Sequence, residues 1–125
     1  MIAEIFVPGI PKNANASRQW ARFAAARERK IYREKAADCA QPTIEAGWVP
    51  SPFTTIYARH VSPVRRRRDP LGLAERLKPI MDGFVDAGLI PDDDEQHIYV
   101  RLERSVKGTV AGIALTLVQE APDGR

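Results

Sequence analysis

Residues Arg65, Arg66, Arg67 and Arg68 form an unbroken cationic tract that runs straight into Asp69. Four adjacent cations repel one another, and neither a helix nor a strand can bury all four side chains, because successive residues point in different directions on either element. The tract must therefore lie in solvent or against a polyanion. About two dozen residues later the chain carries the opposite charge, in Pro91-Asp92-Asp93-Asp94-Glu95. Any fold of this chain has to keep a cationic and an anionic segment at its surface, one on each side of an apolar, helix-like stretch.

The totals narrow the setting. With 125 residues the chain is long enough for one core and too short for two. It reads as a single domain over 1–120, followed by a short polar tail over 121–125. A hydrophobic fraction of 44% and a charged fraction of 28% are those of a globular protein. No apolar run approaches the length of a bilayer span, and Met1-Ile2-Ala3-Glu4 has neither a basic region nor a long apolar stretch, so membrane insertion and export are not expected and a cytoplasmic setting is. Cys39 has no second cysteine to pair with, and reads as a small helix filler. The net charge of +3 is modest. Its distribution carries more: bases cluster over 18–35 and 65–68 and acids over 92–95, a segregation that steers a polyanion.

Along the chain, Ile2 to Val7 has strand composition and Pro8-Gly9-Ile10-Pro11 ends it. Lys12 to Ser17 reads as a polar loop whose Lys12, Asn13 and Asn15 either meet a DNA backbone or serve as a solvated connector. Ser17 suits the N-cap of a helix from about Arg18 to Ala40, in which Trp20, Phe23, Ala24, Arg27, Ile31, Lys35 and Cys39 recur at helical spacing. Its arginines form a solvated face, with Arg18 and its neighbours near the N-terminal end placed to touch phosphate. Pro42 is expected to break this helix. Phe53 to Val61 reads as a strand with Thr54, Ile56, Ala58 and His60 on one face, His60 being structural rather than catalytic. Leu73, Leu77, Ile80, Phe84 and Val85 recur at spacings of three and four and mark a core-facing helix that starts near, or bends at, Pro79. Gly88 suits its C-cap. Two terminal strands, 97–106 and 109–118, are expected to form a hairpin across Lys107-Gly108. The sum is an α+β, two-layer fold: a small mixed β-sheet packed against two main helices.

The two charged segments also suggest a chemistry. Hard divalent cations are held by a few carboxylates and completed by water and phosphate oxygens, so acids that hold a metal beside bases that hold phosphate make a site for cutting a phosphodiester. Here the order of residues carries a resemblance. Arg65 to Asp69, an apolar helix with Lys78 and Asp82, then Asp86-Ala87-Gly88 and Asp92-Asp93 resemble the core signature of RusA-type Holliday junction resolvases, densely over 65–100. Val7-Pro8-Gly9-Ile10-Pro11-Lys12 is similar to the family's opening loop. The resemblance implies a homodimeric, Mg²⁺-dependent endonuclease (Mn²⁺ serving as an alternative ion) that resolves four-way DNA junctions in recombination and repair. It implies Asp69, Asp92 and Asp93 as metal ligands, Asp69, Asp93 and Lys78 as catalytic residues, and Arg65 to Arg68, Lys12, Asn13 and Arg18 as DNA contacts. Lys78 and Asp82 are four residues apart, one turn along a helix face.

The chain departs from the family pattern in two places, one of them the helix, which carries three extra residues between Asp69 and Asp82 relative to the shortest family pattern. Where the family has Asp-x-Asp-Asn-Leu, this sequence reads Asp69-Pro70-Leu71-Gly72-Leu73, so a leucine stands for a metal-binding aspartate and a glycine for an asparagine. Leucine cannot ligate a metal, and Glu75 or Asp94 would have to substitute. A branched-DNA-binding relative that does not cut is the alternative. On residue chemistry alone, Asp69 as a helix cap and Asp92 to Asp94 as an exposed acidic turn also remain open.

Overall fold

The computed structural model of the chain describes residues 1–9, 19–64 and 70–119. In chain order the elements are β1 (Ile2–Pro8), α1 (Gln19–Glu45), β2 (Thr54–Ser62), α2 (Pro70–Ala87), β3 (Ile98–Leu102), β4 (Val106–Lys107) and β5 (Gly112–Gln119). The strands make one five-stranded sheet in the order β1-β5-β2-β3, with β4 also paired to β2. β5 runs antiparallel to both neighbours, whereas β3 and β4 run parallel to β2. The sheet is therefore mixed, and both helices lie on one of its faces, which is the expected two-layer α+β fold.

Alternation decides which face is covered. Ala3, Ile5 and Val7 of β1, Ile56 and Ala58 of β2, and Ile113, Leu115 and Leu117 of β5 are buried toward the helices, each two residues from the next on its strand. Thr54 and His60 share the buried side of β2, so the face expected for this strand is the one observed, and His60 belongs to the core.

The core side of α2 is Leu73, Leu77, Ile80, Met81 and Phe84, close to the expected stripe. The helix starts at Pro70, whose fixed φ and missing N–H suit a first helical position, and it continues through Pro79. Both helices end in a Schellman motif. In α2, Gly88 takes φ 82° and donates to the Val85 carbonyl (3.0 Å), while Leu89 donates to the Phe84 carbonyl (2.9 Å). In α1, Gly47 at φ 107° donates to the Ile44 carbonyl (3.1 Å) and Trp48 to the Thr43 carbonyl (3.2 Å). The indole N–H of Trp48 then donates to the Leu89 carbonyl at 2.9 Å, tying the two helix ends together in the interior.

Three expectations are corrected. Pro42 does not break α1, which runs on to Glu45; proline removes one backbone donor, and packing against α2 together with the terminal motif holds the last turn. The buried line of α1 is Tyr32, Ala36 and Ala40 rather than the line through Ile31 and Lys35; Ile31 is exposed. The cause is close approach: a Cβ on Gly83 would lie 2.3 Å from the Arg33 carbonyl oxygen and 2.9 Å from Ala36 Cβ, so the seam between the helices admits only small residues. Finally, the terminal strands do not form a hairpin. β2 stands between them, pairing Val61 with Val106 on one side and with Gly112 on the other. The chain crosses the end of β2 at Gly108, where a Cβ would meet Val61 Cγ1 at 2.5 Å, and the Lys107-Gly108 turn signal serves this crossing instead.

No helix among the described residues is long and apolar enough to cross a membrane.

Candidate functional site

The β2-α2-β3 unit positions the acidic segment. Because β2 and β3 are parallel, the connection entering α2 and the connection leaving it lie at opposite ends of the pair. Asp92 to His97 belong to the second, which doubles back along α2 so that Asp93 reaches the middle of the helix.

There Lys78 meets two acids. Its Nζ donates to Asp93 Oδ2 at 2.6 Å and lies 3.2 Å from Asp82 Oδ1. The pairing with Asp82 is the one-turn spacing read from the sequence; the pairing with Asp93 spans fifteen residues and is made by the fold. The Asp93 N–H also donates to Asp92 Oδ1 at 2.7 Å, which fixes the turn. The hydrogen bond from Lys78 holds the Asp93 carboxyl below its ordinary value, and the bonds to Asp93 and then Asp82 raise the Lys78 ammonium above its own. Both groups are charged at neutral pH. Lys78 is therefore a fixed cation, able to neutralise a phosphate and unable to accept a proton, and Asp93 is a permanent anion able to hold a metal.

Beside this pair, Asp92, Asp94 and His97 bring one donor atom each to within 4.8 Å of one another. Asp94 organises the group: its Oδ1 lies 2.5 Å from His97 Nδ1 and accepts from the Gln96 N–H at 3.1 Å, and its carbonyl accepts from the N–H groups of His97 and Ile98 at 3.0 Å. An Asp-Asp-His group of this kind could hold a metal ion. Two carboxylates and an imidazole are a borderline donor set, which suits Mn²⁺ or another first-row ion better than Mg²⁺, whose sites are built from oxygen. Coordination through Nδ1 would replace the bond to Asp94; coordination through Nε2 would leave Asp94 orienting the ring.

Of the residues singled out in the sequence, the fold brings Lys78, Asp82 and Asp93 together and sets Asp92 next to them. Asp86, part of the resembling Asp-Ala-Gly segment, serves the fold: Arg33 of α1 donates to both of its oxygens, at 2.5 and 2.9 Å. Asp69, Arg65 to Arg68, Lys12, Asn13 and Arg18 lie outside the described residues. Pro70, where α2 begins, is eight residues from Lys78, about 12 Å of helical rise, so the Lys78–Asp93 pair sits two turns down the helix from its start. His97 is the residue that sequence reasoning missed. Its only signal was the three-residue spacing from Asp94, which becomes a contact because the segment between them turns tightly before β3. No protein-family model matches this chain, and no curated protein matches it.

Proposed function

We propose that the chain is a metal-dependent endonuclease of branched DNA, a RusA-like resolver of four-way junctions acting as a homodimer in recombination and repair. The observation that carries this reading is the Lys78–Asp93 contact, a cation and an anion that the resemblance names as catalytic, brought together next to carboxylates that can take a metal. In this reading Asp93 and Asp92, with Asp69 as the family pattern has it, hold Mg²⁺ or Mn²⁺, and Asp94 and His97 supply donors where Leu71 removes one. The ion supplies charge neutralisation at the scissile phosphate and an activated water. Lys78 orients the phosphate, and Arg65 to Arg68, with Lys12, Asn13 and Arg18, grip the backbone through contacts that depend on salt. Two cuts placed symmetrically on a four-way junction require two sites related by a two-fold axis, hence the dimer.

A second reading is favoured by Leu71 and Gly72 and by the distance along α2 between its start and Lys78: a relative that binds branched DNA without cutting it. Incubating the protein with an end-labelled four-way junction and Mg²⁺ or Mn²⁺ separates the two. Paired nicks near the crossover support the nuclease; a salt-sensitive complex with intact strands supports the binder; no complex at any salt concentration defeats both.

A further inference from the structure

The sheet has a second face, and none of the described elements covers it. Its residues fall into rows set by strand register. One row is Ile2, Val118, Thr55 and Tyr99; the next is Glu4, Thr116, Tyr57 and Arg101. Ile2 is 70% exposed and Tyr99 57% exposed, and Phe6 stands in the following row. Large apolar side chains open to solvent on a sheet face mark an interaction surface. Two kinds of charge stand on this face: Arg59, in the Phe6 row, is already paired with Glu103 at 3.2 Å, whereas Glu4 and Arg101 are not paired with each other. Glu4 on edge strand β1 takes part in none of the ion pairs among the described residues, and Arg101 on the other edge leans over the Tyr57 ring, 6.0 Å from its centroid. They stand at opposite ends of the same row, with two central strands between them.

We propose that this open face is where a second copy of the chain docks, two sheets packing face to face about a two-fold axis that runs along the strands between β5 and β2. Such a rotation exchanges the left and right ends of every row. It sets Glu4 opposite the other copy's Arg101, and Arg101 opposite its Glu4, so the two pairs form together. The same operation lays Ile2 against Tyr99 and Thr116 against Tyr57, so the two most exposed apolar residues of these rows cover each other, while Phe6 comes to the side of its row that carries Arg59 and Glu103. This is the self-complementarity that a two-fold interface demands, in which residue i meets j and j meets i. Aligned sheet packing of this type separates the sheets by about 10 Å, a gap that tyrosine and arginine side chains fill. The proposal gives a surface to the dimer on which the symmetric-cutting reading rests, yet it is tested without DNA.

The experiment is sedimentation equilibrium of the full chain across a concentration series, with Glu4→Arg, Arg101→Glu and the double exchange. The wild type is expected at twice the 13.9 kDa chain mass. Each single reversal places two like-charged pairs in the interface and shifts the protein to 13.9 kDa. The double exchange restores opposite charges in every pair and returns the dimer. Circular dichroism checks that each variant keeps its fold, which exposed charges on a sheet face should not disturb. A monomeric wild type, or a dimer indifferent to both reversals, overturns the proposal. Either result leaves junction cleavage to be judged by its own assay.

Discussion

Replacing Gly83 by alanine tests the packing that positions the site. Gly83 lies in the middle of α2, where alanine is ordinarily the better residue by about 0.5–1 kcal/mol. Here the new Cβ would lie 2.3 Å from the Arg33 carbonyl oxygen, 2.9 Å from Ala36 Cβ and 3.0 Å from the Ala37 nitrogen. Two of these three atoms are backbone, so no rotamer change relieves the contact and α1 must move by roughly an ångström to reach ordinary contact distance. Overpacking of this kind costs about 1–3 kcal/mol, which outweighs the gain in helix propensity. A net loss of about 1–2 kcal/mol corresponds to a fall in melting temperature of about 3–10 °C for a domain of this size. Displacing α1 also strains the Arg33–Asp86 bridge one turn further along. Urea denaturation with matched slopes measures the loss. A G83A protein as stable as the wild type, or more stable, would mean that propensity decides at this position and that the helices are not in contact there.

Other consequences follow from the same geometry. Trp48→Phe keeps most of the buried ring and removes the donor to the Leu89 carbonyl, so it is expected to lower stability by about 1–3 kcal/mol in the same denaturation assay. The Lys78–Asp93 pair adds stability that is fully present above the unfolded carboxyl pKa of 3.8 and is lost as pH falls through the lower folded value of Asp93. It is likewise present below 10.5 and lost as pH rises through the raised value of Lys78. The stability difference between wild type and Asp93→Asn should therefore be flat through neutral pH and shrink at both extremes. It should stay near 0.2–1 kcal/mol, because Lys78 is largely exposed. His97→Ala is expected to weaken Mn²⁺ binding, followed by calorimetry, at least about tenfold while leaving the melting temperature nearly unchanged.

How much of this was legible in the sequence depends on what each residue answers to. The β1 strand, the β2 faces, the core stripe of α2 and the Gly88 cap could be read directly, because composition, alternation, helical spacing and positive φ are local properties. Strand pairing could not. Lys107-Gly108 carries hairpin chemistry, but β2 outcompetes the hairpin by offering a partner on each side, and nothing within 97–118 records that. The seam between the helices was hidden for a related reason: Ala36 and Gly83 are selected for being small, and hydrophobicity patterns weigh Ile31 above them. At the site, Lys78 with Asp82 was a matter of helical spacing, whereas Lys78 with Asp93 depends on the path of the chain after α2, and His97 needed the turn.

The most direct test of the central claim is the single-turnover rate of cleavage of a four-way junction in Mn²⁺, compared between the wild type and Asp93→Asn. If the anion held by Lys78 is part of the hydrolytic site, the wild type releases paired products and the variant, which keeps its fold, loses at least about a hundredfold in rate, some 2.7 kcal/mol of barrier. Equal rates in the two proteins would contradict the assignment of this site.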